Sequence, residues 1–358
     1  MNFKGYDLAL ITDEKERLYF LGFHSTAGYV MIAPDKTVFA VDNRYFHAAE
    51  RALKPKGVTV VSCPDDTALK NLCEDRGVKT IAVDYTKITV SEMERLKALG
   101  YNYVDCSSEI AEIMAIKTQT ELKYLAKACD IAEKAWKATL PFIKAGVTER
   151  EVANELEYNF KKFGASGTSF DTIVAFGKNA AVPHHETGET KLKDNECVLM
   201  DFGCLYKGYC SDMTRTMFYG KPTKEFLKAY DAVLTAHEKA ALEIREGMTG
   251  KEADAVARNV LKDMGYGEYF THSLGHGIGV NIHEFPTLSP KSEWVIKNNM
   301  VFSNEPGVYL NGKFGIRLED SAYLSDGKYK TFMKDDKSLI VLNGGKARKR
   351  KTTHLKQQ

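Results

Sequence analysis

The sequence predicts an α/β protein built of two domains, and three observations lead to this prediction. Its 358 residues exceed what one ordinary hydrophobic core accommodates. Short apolar runs alternate with helical patterns over the first third of the chain, and a motif near residue 143 recurs near residue 244. We therefore expect a first domain over residues 1–117, a second domain over residues 118–345, and a terminal segment over residues 346–358.

The composition is that of a soluble globular protein, with 44% hydrophobic and 27% charged residues. No apolar run approaches the roughly 18 residues that a bilayer span requires, and the N-terminus lacks the cationic and apolar segments of a secretory signal. The seven cysteines are scattered, odd in number and free of CxxC pairs, which favours reduced thiols over a disulfide frame. We expect a cytoplasmic protein without a membrane partner.

The formal net charge of +2 hides an uneven distribution along the chain. Residues 346–358 carry six lysines and arginines and no acid, so removing these six charges from +2 leaves −4 for the rest of the chain. A mildly acidic body with a short basic tail is not typical of proteins that bind nucleic acid. We expect this tail to be solvated and disordered, and an anionic partner for it is the alternative.

The first domain alternates predicted strands with predicted helices. The strands are expected over residues 8–11, 29–32, 37–41, 58–61, 80–83 and 103–104. Helical patterns cover residues 45–53, 67–75 and 91–99. A capping box of Ser91 and Glu94 predicts where the last of these helices begins. This alternation indicates an α/β domain with a largely buried sheet.

The second domain contains an internal repeat. A capping box of Thr118 and Glu121 predicts a long helix that extends to about residue 143. A second capping box at residues 148–151 recurs 101 residues later at residues 249–252, together with the isoleucine and the glycine that precede it. The repeat predicts two pseudo-symmetric units of helix plus strands, and a site in the cleft between them.

One predicted hairpin carries two aspartates. Two β-rich runs flank a two-residue turn at residues 207–208, which pairs Tyr206 with Tyr209. This register places Asp201 diagonal to Asp212 on the same face of the hairpin, close enough for both carboxylates to reach one ion. A slip of one residue would send Asp201 to the opposite face.

A second predicted hairpin carries two glutamates. A three-residue loop at residues 311–313 pairs Leu310 with Phe314, which puts Glu305 directly opposite Glu319. Like charges in this position are destabilising, so we expect a cation between them. A single strand carboxylate usually faces solvent, but two hairpins that each present two acids on one face favour a site.

A glycine-rich segment brings three of the nine histidines within twelve residues: His272, His276 and His283. A lone histidine is more often a satisfied polar group than a ligand. The glycines on both sides of His276 remove bulk and allow close approach, so we expect His276 to be a metal ligand. His184 occupies a comparable place after the first copy of the repeat.

Two cysteines lie in the aspartate hairpin. Cys210 shares the face of Asp212, so thiolate ligation is an alternative to the interpretation of Cys210 as a small buried thiol, which we favour. Cys204 has the opposite parity and is expected in the core.

Six short motifs together resemble those of one known family; they occupy residues 179–184, 201–203, 211–216, 272–279, 304–307 and 316–320. The sequence resembles the pita-bread metallopeptidases of family M24, specifically the Xaa-Pro aminopeptidases and Xaa-Pro dipeptidases (prolidases). The similarity covers nearly all of the chain except the basic tail. Residues 18–23 and 42–45 resemble the creatinase-type N-terminal domain of these enzymes.

This resemblance implies a dinuclear metal site. Asp201 would chelate one ion, Asp212 and Glu319 would bridge both ions, and His276 and Glu305 would complete the second. Four carboxylates and a neutral imidazole balance two divalent cations in charge, and such a pair of ions activates water for the hydrolysis of a stable amide. Oxygen-rich ligation with one imidazole suits Mn²⁺, Co²⁺ or Fe²⁺, with Mn²⁺ expected first and Zn²⁺ also considered.

The resemblance also implies roles around the metals. His184, His272 and His283 resemble substrate-binding and transition-state histidines, and Arg317 resembles the arginine beside the bridging glutamate. Glu305 would carry the proton to the leaving proline nitrogen, and His272 and His283 would stabilise the oxyanion. A proline-containing peptide is then the substrate, and we expect a homodimer.

Two other classes of function fit the same fold. A creatinase-like hydrolase works without metal, and a non-catalytic binding module, such as a chaperone or a nucleic-acid adaptor, needs no active site. Both are expected to have lost several of the five ligand residues, and all five are present. Within the peptidases, the sequence does not distinguish an aminopeptidase from a dipeptidase, because these differ in the loops that close the cleft.

Overall fold

The chain divides into two compact units, Met1–Met114 and Ala115–Gln358. The computed structural model describes residues 1–63, 65–343 and 346–349. Over these residues, none of the helices combines the length and the apolar character that a membrane span requires.

Within its described residues, the first unit is a mixed six-stranded sheet with five α-helices. Its strands are β1 (Leu8–Ile11), β2 (Tyr29–Ala33), β3 (Lys36–Val41), β4 (Val58–Ser62), β5 (Thr80–Val83) and β6 (Asn102–Asp105). Its helices are α1 (Glu14–Leu21), α2 (Phe46–Leu53), α3 (Thr67–Arg76), α4 (Val90–Lys97) and α5 (Ser107–Ala115). The strands lie in the order β4-β3-β2-β1-β5-β6, and apolar residues such as Leu8 and Met31 are fully buried in the core beneath the helices.

The sequence predicted the six strands of this unit but missed two helices, α1 and α5. It also placed one helix start wrongly. The capping box of α4 consists of Thr89 and Glu92, not of Ser91 and Glu94. Thr89 has the extended backbone conformation that an N-cap residue needs, so Ser91 lies inside the first turn of the helix.

The second unit contains four helices and fifteen strands within the described residues. The helices are α6 (Gln119–Thr139), α7 (Glu149–Lys162), α8 (Lys224–Glu243) and α9 (Gly250–Asp263). The strands of its first half are β7 (Gly167–Thr168), β8 (Ile173–Phe176), β9 (Glu196–Phe202), β10 (Cys204–Tyr206), β11 (Tyr209–Cys210) and β12 (Met213–Tyr219). The later strands are β13 (Gly275–Gly277), β14 (Glu284–Leu288), β15 (Val301–Asn304), β16 (Gly307–Leu310), β17 (Phe314–Arg317), β18 (Asp320–Ser325), β19 (Lys328–Thr331), β20 (Ile340–Asn343) and β21 (Lys346–Lys349).

Two five-stranded sheets organise this unit, in the orders β21-β20-β12-β9-β8 and β14-β13-β15-β18-β19. The first sheet packs with α6 and α7 around Trp136, Phe160 and Met200, all fully or almost fully buried. The second packs with α8 and α9 around residues such as Phe226 and Phe302. Burial of one such side chain stabilises the fold by about 1.5–3 kcal/mol.

The internal repeat is present in the structure. The capping boxes of α7 and α9 are both complete. The glycines before them have φ angles of 91° and 90°, and their N–H groups donate to equivalent acceptors: Gly146 to the Leu192 carbonyl and Gly247 to the Ile296 carbonyl. The two halves of the unit therefore share a backbone frame as well as a sequence motif.

The beginning of the expected disordered tail is ordered, which corrects that expectation. β21 pairs antiparallel with β20, and the Lys349 Nζ lies 2.8 Å from carboxylate oxygens of both Asp335 and Asp336. That expectation rested only on the positive charge of residues 346–358, whereas backbone pairing with β20 and two nearby acids stabilise this strand. The rest of the predicted tail, residues 350–358, lies outside the described residues.

Candidate active site

The aspartate hairpin has the register that its turn predicts. Lys207 and Gly208 have φ angles of 53° and 85°, and two positive φ angles are what a type I′ turn requires. The same register places Asp201 opposite Thr214. Because Asp212 lies two residues before Thr214, Asp201 and Asp212 are diagonal neighbours on one face.

The ladder of this hairpin breaks beside Asp212. β9 ends at Phe202, and β10 continues in a different, three-stranded sheet. Gly203 makes this break sterically feasible, because a Cβ at that position would lie 1.9 Å from the Ser211 carbonyl oxygen. Any side chain here would push the two strands apart and displace Asp212.

The glutamate hairpin also has the predicted register. Its backbone hydrogen bonding is also interrupted, or open, at Glu305 and Glu319. Leu310 pairs with Phe314, and the same register continues beyond the acids between β15 and β18. At the opening, the Glu305 N–H donates to the Leu274 carbonyl (2.9 Å). The Glu319 N–H similarly donates to a carbonyl of β12. Both glutamates therefore sit where a strand leaves one sheet for another.

His276 lies on β13, between β14 and β15. Its Nδ1 is 3.1 Å from the Gly277 carbonyl oxygen, which only accepts, so Nδ1 carries the proton and Nε2 carries a lone pair. This Nε2 is 3.5 Å from the Asp212 Oδ2 and 3.4 Å from the Glu305 Oε1. Burial lowers the pKa of His276, which keeps the ring neutral and suited to ligation.

The acids and His276 form one cluster. Ligand atoms of Asp212, His276 and Glu319 all lie within 4.8 Å of one another. Burial, and then the neighbouring Glu319 and Asp201, raise the pKa of Asp212 well above its usual range. Burial and nearby carboxylates act likewise on Glu319, and burial above all raises the pKa of Glu305 to about 7. A cluster of this kind is costly without a cation.

These residues fit a divalent metal. The Asp201 Oδ1 is buried and has no hydrogen-bond partner, whereas buried polar atoms in native proteins are nearly always paired. Its other oxygen, Oδ2, accepts a hydrogen bond of 2.6 Å from Arg317. A cation beside Oδ1 would satisfy the unpaired atom and relieve the repulsion among the carboxylates.

Arg317 connects both hairpins. It is 3% exposed, and besides Asp201 it donates to the Tyr309 hydroxyl (2.6 Å) and to the Thr214 Oγ1 (3.1 Å). Thr214 in turn donates to the Glu319 Oε2 (2.6 Å). The guanidinium therefore fixes the orientation of one carboxylate directly and of a second through Thr214.

Sequence reasoning missed Tyr309 and Thr214. Strand parity could have found both, because Tyr309 lies four residues after Glu305 and Thr214 two residues after Asp212, each on the face of its acid. Neither residue type is a usual metal ligand, so a pattern of candidate ligands does not include them.

His272 has both ring nitrogens engaged. Its Nδ1 is 2.8 Å from the Ser273 carbonyl oxygen and therefore donates, so Nε2 accepts the hydrogen bond from the Tyr309 hydroxyl (2.8 Å). Burial lowers the pKa of His272 to about 3, and the ring is neutral at physiological pH. His272 has no free N–H in this arrangement.

The nine residues that the sequence predicts as metal ligands or catalytic residues all line one cavity of about 880 Å³. They are His184, Asp201, Asp212, His272, His276, His283, Glu305, Arg317 and Glu319. His184 and His283 are exposed on its wall. The His283 ring stands edge-on to the His276 ring, with 4.2 Å between centroids. The cavity wall removes part of the solvent around the His283 ring, and this desolvation, followed by the neighbouring His276, lowers the pKa of His283 to about 4.

Both cysteines of the aspartate hairpin are buried. The Cys204 thiol donates to the Ala128 carbonyl, and the Cys210 sulfur lies 3.7 Å from the Val280 carbonyl oxygen. Within the described residues, the group of clustered ligand atoms does not include Cys210.

Comparison with known families gives two matches that together cover most of the chain. The model described as metallopeptidase family M24 matches residues 123–326. The model described as the creatinase/prolidase N-terminal domain matches residues 1–116. A relative described as an uncharacterized peptidase of Bacillus subtilis is 35% identical over 345 residues, which cover 94% of this chain and 96% of the relative.

Solved structures of similar proteins share the whole fold. An Xaa-Pro dipeptidase from Bacillus anthracis superposes with a TM-score of 0.91 at 37% identity, covering 94% of this chain and 96% of that one. An X-Pro aminopeptidase from Thermotoga maritima gives 0.88 at 34% identity, covering 94% and 98%. A prolidase from Pyrococcus furiosus gives 0.86 at 33% identity, covering 92% and 97%.

Proposed function

The chain belongs to metallopeptidase family M24, and from that premise we propose that it is a dinuclear exopeptidase that cleaves Xaa-Pro bonds. The family, the creatinase-type first domain, the pita-bread second domain and the metallopeptidase class that the sequence predicted are confirmed. The substrate, the number and identity of the ions and the role of each residue belong to the proposal.

The observation that carries the proposal is the convergence of four carboxylates and one imidazole lone pair on a single cavity. We assign Asp201 to one ion, Asp212 and Glu319 to both, and His276 and Glu305 to the other. When bound there, two divalent cations, Mn²⁺ first among Mn²⁺, Co²⁺, Fe²⁺ and Zn²⁺, would supply Lewis acidity to the scissile carbonyl and to the attacking water. A creatinase-like hydrolase or a non-catalytic module would have no use for this ligand set.

Glu305 is suited to move the proton. Burial chiefly raises its pKa to about 7 when no cation is bound. A bound cation would lower that pKa, so the carboxylate would accept a proton from the attacking water and pass it to the leaving nitrogen. The Ser303 hydroxyl donates to its Oε1 (2.9 Å) and fixes the side chain. The proton is needed because the proline nitrogen would otherwise leave as a strongly basic amide anion.

Among the histidines, His283 is the better oxyanion donor. It stands against the ligand His276 and its side chain is exposed in the cavity, whereas the nitrogens of His272 are occupied by Ser273 and Tyr309. We therefore assign oxyanion stabilisation to His283, substrate contact to His184, and the orientation of Tyr309 to His272.

Dipeptidases and aminopeptidases are both among the similar structures, with TM-scores of 0.91 and 0.88. We therefore propose the Xaa-Pro bond as the shared specificity of this site, in a dipeptide or at the N-terminus of a longer peptide. We further propose a homodimer in a reducing cytoplasm, the latter because no disulfide joins any of the seven cysteines, all of which lie within the described residues.

A peptide panel tests the specificity. The Mn²⁺-loaded protein is assayed on Ala-Pro, Ala-Pro-Ala and Ala-Ala, with the products identified by mass spectrometry. We expect cleavage of at least one proline peptide with a kcat/KM at least 10-fold above that for Ala-Ala, a factor of ten corresponding to about 1.4 kcal/mol. Equal rates on Ala-Pro and Ala-Ala would contradict proline specificity and leave a general aminopeptidase.

A further inference from the structure

One buried carboxylate holds the segment that carries His184. Glu149 is the first residue of α7, and its side chain is fully buried. Its Oε1 accepts hydrogen bonds from the Phe176 N–H and the Asn179 Nδ2, both at 2.9 Å. Its Oε2 accepts from the Gly188 N–H (3.2 Å) and lies 2.9 Å from the His185 Nε2.

These four contacts use the full accepting capacity of the carboxylate. A carboxylate offers about four lone-pair sites, and a buried one is costly unless they are filled. Because a carboxylate oxygen only accepts, the His185 Nε2 carries the proton. The start of α7 adds favourable backbone dipoles around the negative charge of Glu149.

The contacts lie at both ends of a loop. Phe176 is the last residue of β8, and Gly188 follows twelve residues later, so one side chain closes the whole segment. A second anchor holds the middle, where an Arg317 nitrogen donates to the Pro183 carbonyl (3.4 Å). The exposed His184 therefore stands between two fixed neighbours, Pro183 on one side and His185 on the other.

We propose that Glu149 is a positioning residue that sets His184 against the substrate, acting through His185 and the amides at the two ends of the loop. This inference rests on the proposed function, in which His184 contacts the peptide. Glu149 does not line the cavity, whereas His184 and His185 both do. Its effect on catalysis is therefore transmitted through the loop.

The first variant is Glu149→Gln, with Glu151→Gln as its matched control. The amide is isosteric, but its NH₂ would face donors and break the closure of the loop. Glu151 lies in the same helical turn and, among the residues that the structure describes, its side chain bonds to the Thr148 cap alone, so its loss tests helix stability. We expect kcat/KM of Glu149→Gln to fall on the order of 10- to 100-fold with metal content unchanged, and the control to stay within about twofold.

A double-mutant cycle separates positioning from a general loss of structure. In a His184→Ala background, Glu149→Gln should lower kcat/KM by less than about twofold further, because the group that it positions is absent. The same fall in both backgrounds would overturn the inference. The cycle uses whichever peptide the wild type cleaves fastest. If the proline specificity is wrong, the peptide panel with the wild type shows it, and if Glu149 does not position His184, the double-mutant cycle shows it.

Two measurements cover the case in which Glu149→Gln folds poorly. His185→Gln keeps an N–H donor for Glu149 and should retain more of the wild-type kcat/KM than His185→Phe, which keeps none. Hydrogen exchange of residues 176–188 should be faster in His185→Phe than in His185→Gln. Equal kcat/KM in these two variants, or faster exchange without any change in kcat/KM, would show that the contact is only structural.

Discussion

The two halves of the second unit share one frame and place different chemistry on it. Each half has a capping box, a glycine with positive φ before it, and a hairpin whose ladder opens at a pair of acids. The first half contributes two aspartates and the second two glutamates. His276 comes from the second half, so neither half alone carries the proposed ligand set.

The halves also differ in how they hold their histidines. Glu149 anchors the His184 segment in the first half, whereas the position 101 residues later is Gly250, where a Cβ would lie 2.0 Å from a backbone oxygen. The second half instead uses an ion pair on α9. The Asp254 Oδ1 accepts from the Leu274 N–H (2.9 Å), and Arg258 donates to the His272 carbonyl (2.8 Å). A repeated frame therefore does not imply repeated contacts.

The largest expected effect compares two histidines of the second half. His276→Ala should lose bound metal and with it the activity, because the lone pair of Nε2 is removed from the cluster. His283→Ala should keep its metal and lose about 100-fold in kcat, as expected for an interaction made mainly in the transition state. Metal content is measured beside activity on Ala-Pro. If His283→Ala lost metal and His276→Ala kept it, the two assignments would be reversed.

The ion pair on α9 provides the next test, since only the second half has it. Asp254 is 1% exposed, and its removal leaves the Arg258 guanidinium without its carboxylate partner and the Leu274 N–H without its acceptor. Asp254→Ala should lower the free energy of unfolding by about 3 kcal/mol, at the low end for a broken buried pair because Arg258 is partly exposed. Urea denaturation gives the value. Asp263→Ala, at the end of the same helix, is the control, and an equal loss in both variants would argue against the ion pair.

Removal of the metal should destabilise both halves at once. A ligand that binds only the native state stabilises it by about 2.7 kcal/mol at one hundred times its Kd, so thermal unfolding with a chelator should occur below that with Mn²⁺. The raised pKa values of Asp212, Glu305 and Glu319 set the sign of the pH dependence. A raised folded-state pKa stabilises below the unfolded pKa, and this contribution is lost as the pH rises through the folded-state pKa.

Above the ordinary histidine pKa of about 6.5, the buried histidines no longer change the trend. With chelator, stability should therefore fall as the pH rises from about 6.5 to 8, an interval that includes the Glu305 pKa of about 7. With Mn²⁺ in excess it should rise over the same interval, because the ligands must lose their protons to bind. Parallel pH profiles in the two conditions would mean that these carboxylates do not hold the metal.

The smallest effect concerns the C-terminal strand, which joins the sheet of the first half alone. Deletion of residues 350–358 should leave stability and kcat/KM unchanged. Deletion of residues 346–358 also removes β21 and the contact of Lys349 with Asp335, and should cost about 1 kcal/mol of stability. Urea denaturation of the two truncated proteins distinguishes them. Equal stability would show that β21 contributes nothing.

Turn chemistry explains why so much of the site could be predicted from the sequence. The turns at residues 207–208 and 311–313 fix the register of both hairpins, and the period of two then decides which acids share a face. The openings of the ladders could not be predicted, because they depend on the carbonyl of Leu274 and on a carbonyl of β12, each distant in sequence. The contacts of Arg317 with Tyr309 and Thr214 could not be predicted either, because they form only when the two hairpins pack together.

The most direct measurement is the number of ions that one chain binds. Metal-free protein is equilibrated with Mn²⁺, freed of excess ion and analysed by inductively coupled plasma mass spectrometry. Asp201→Ala removes a ligand of the first half, and Asp171→Ala removes an acid that lines the same cavity outside the proposed ligand set. If both halves together hold a dinuclear centre, the wild type and Asp171→Ala bind two ions and Asp201→Ala binds one. A single ion in the wild type, or two ions retained in Asp201→Ala, would contradict the dinuclear assignment.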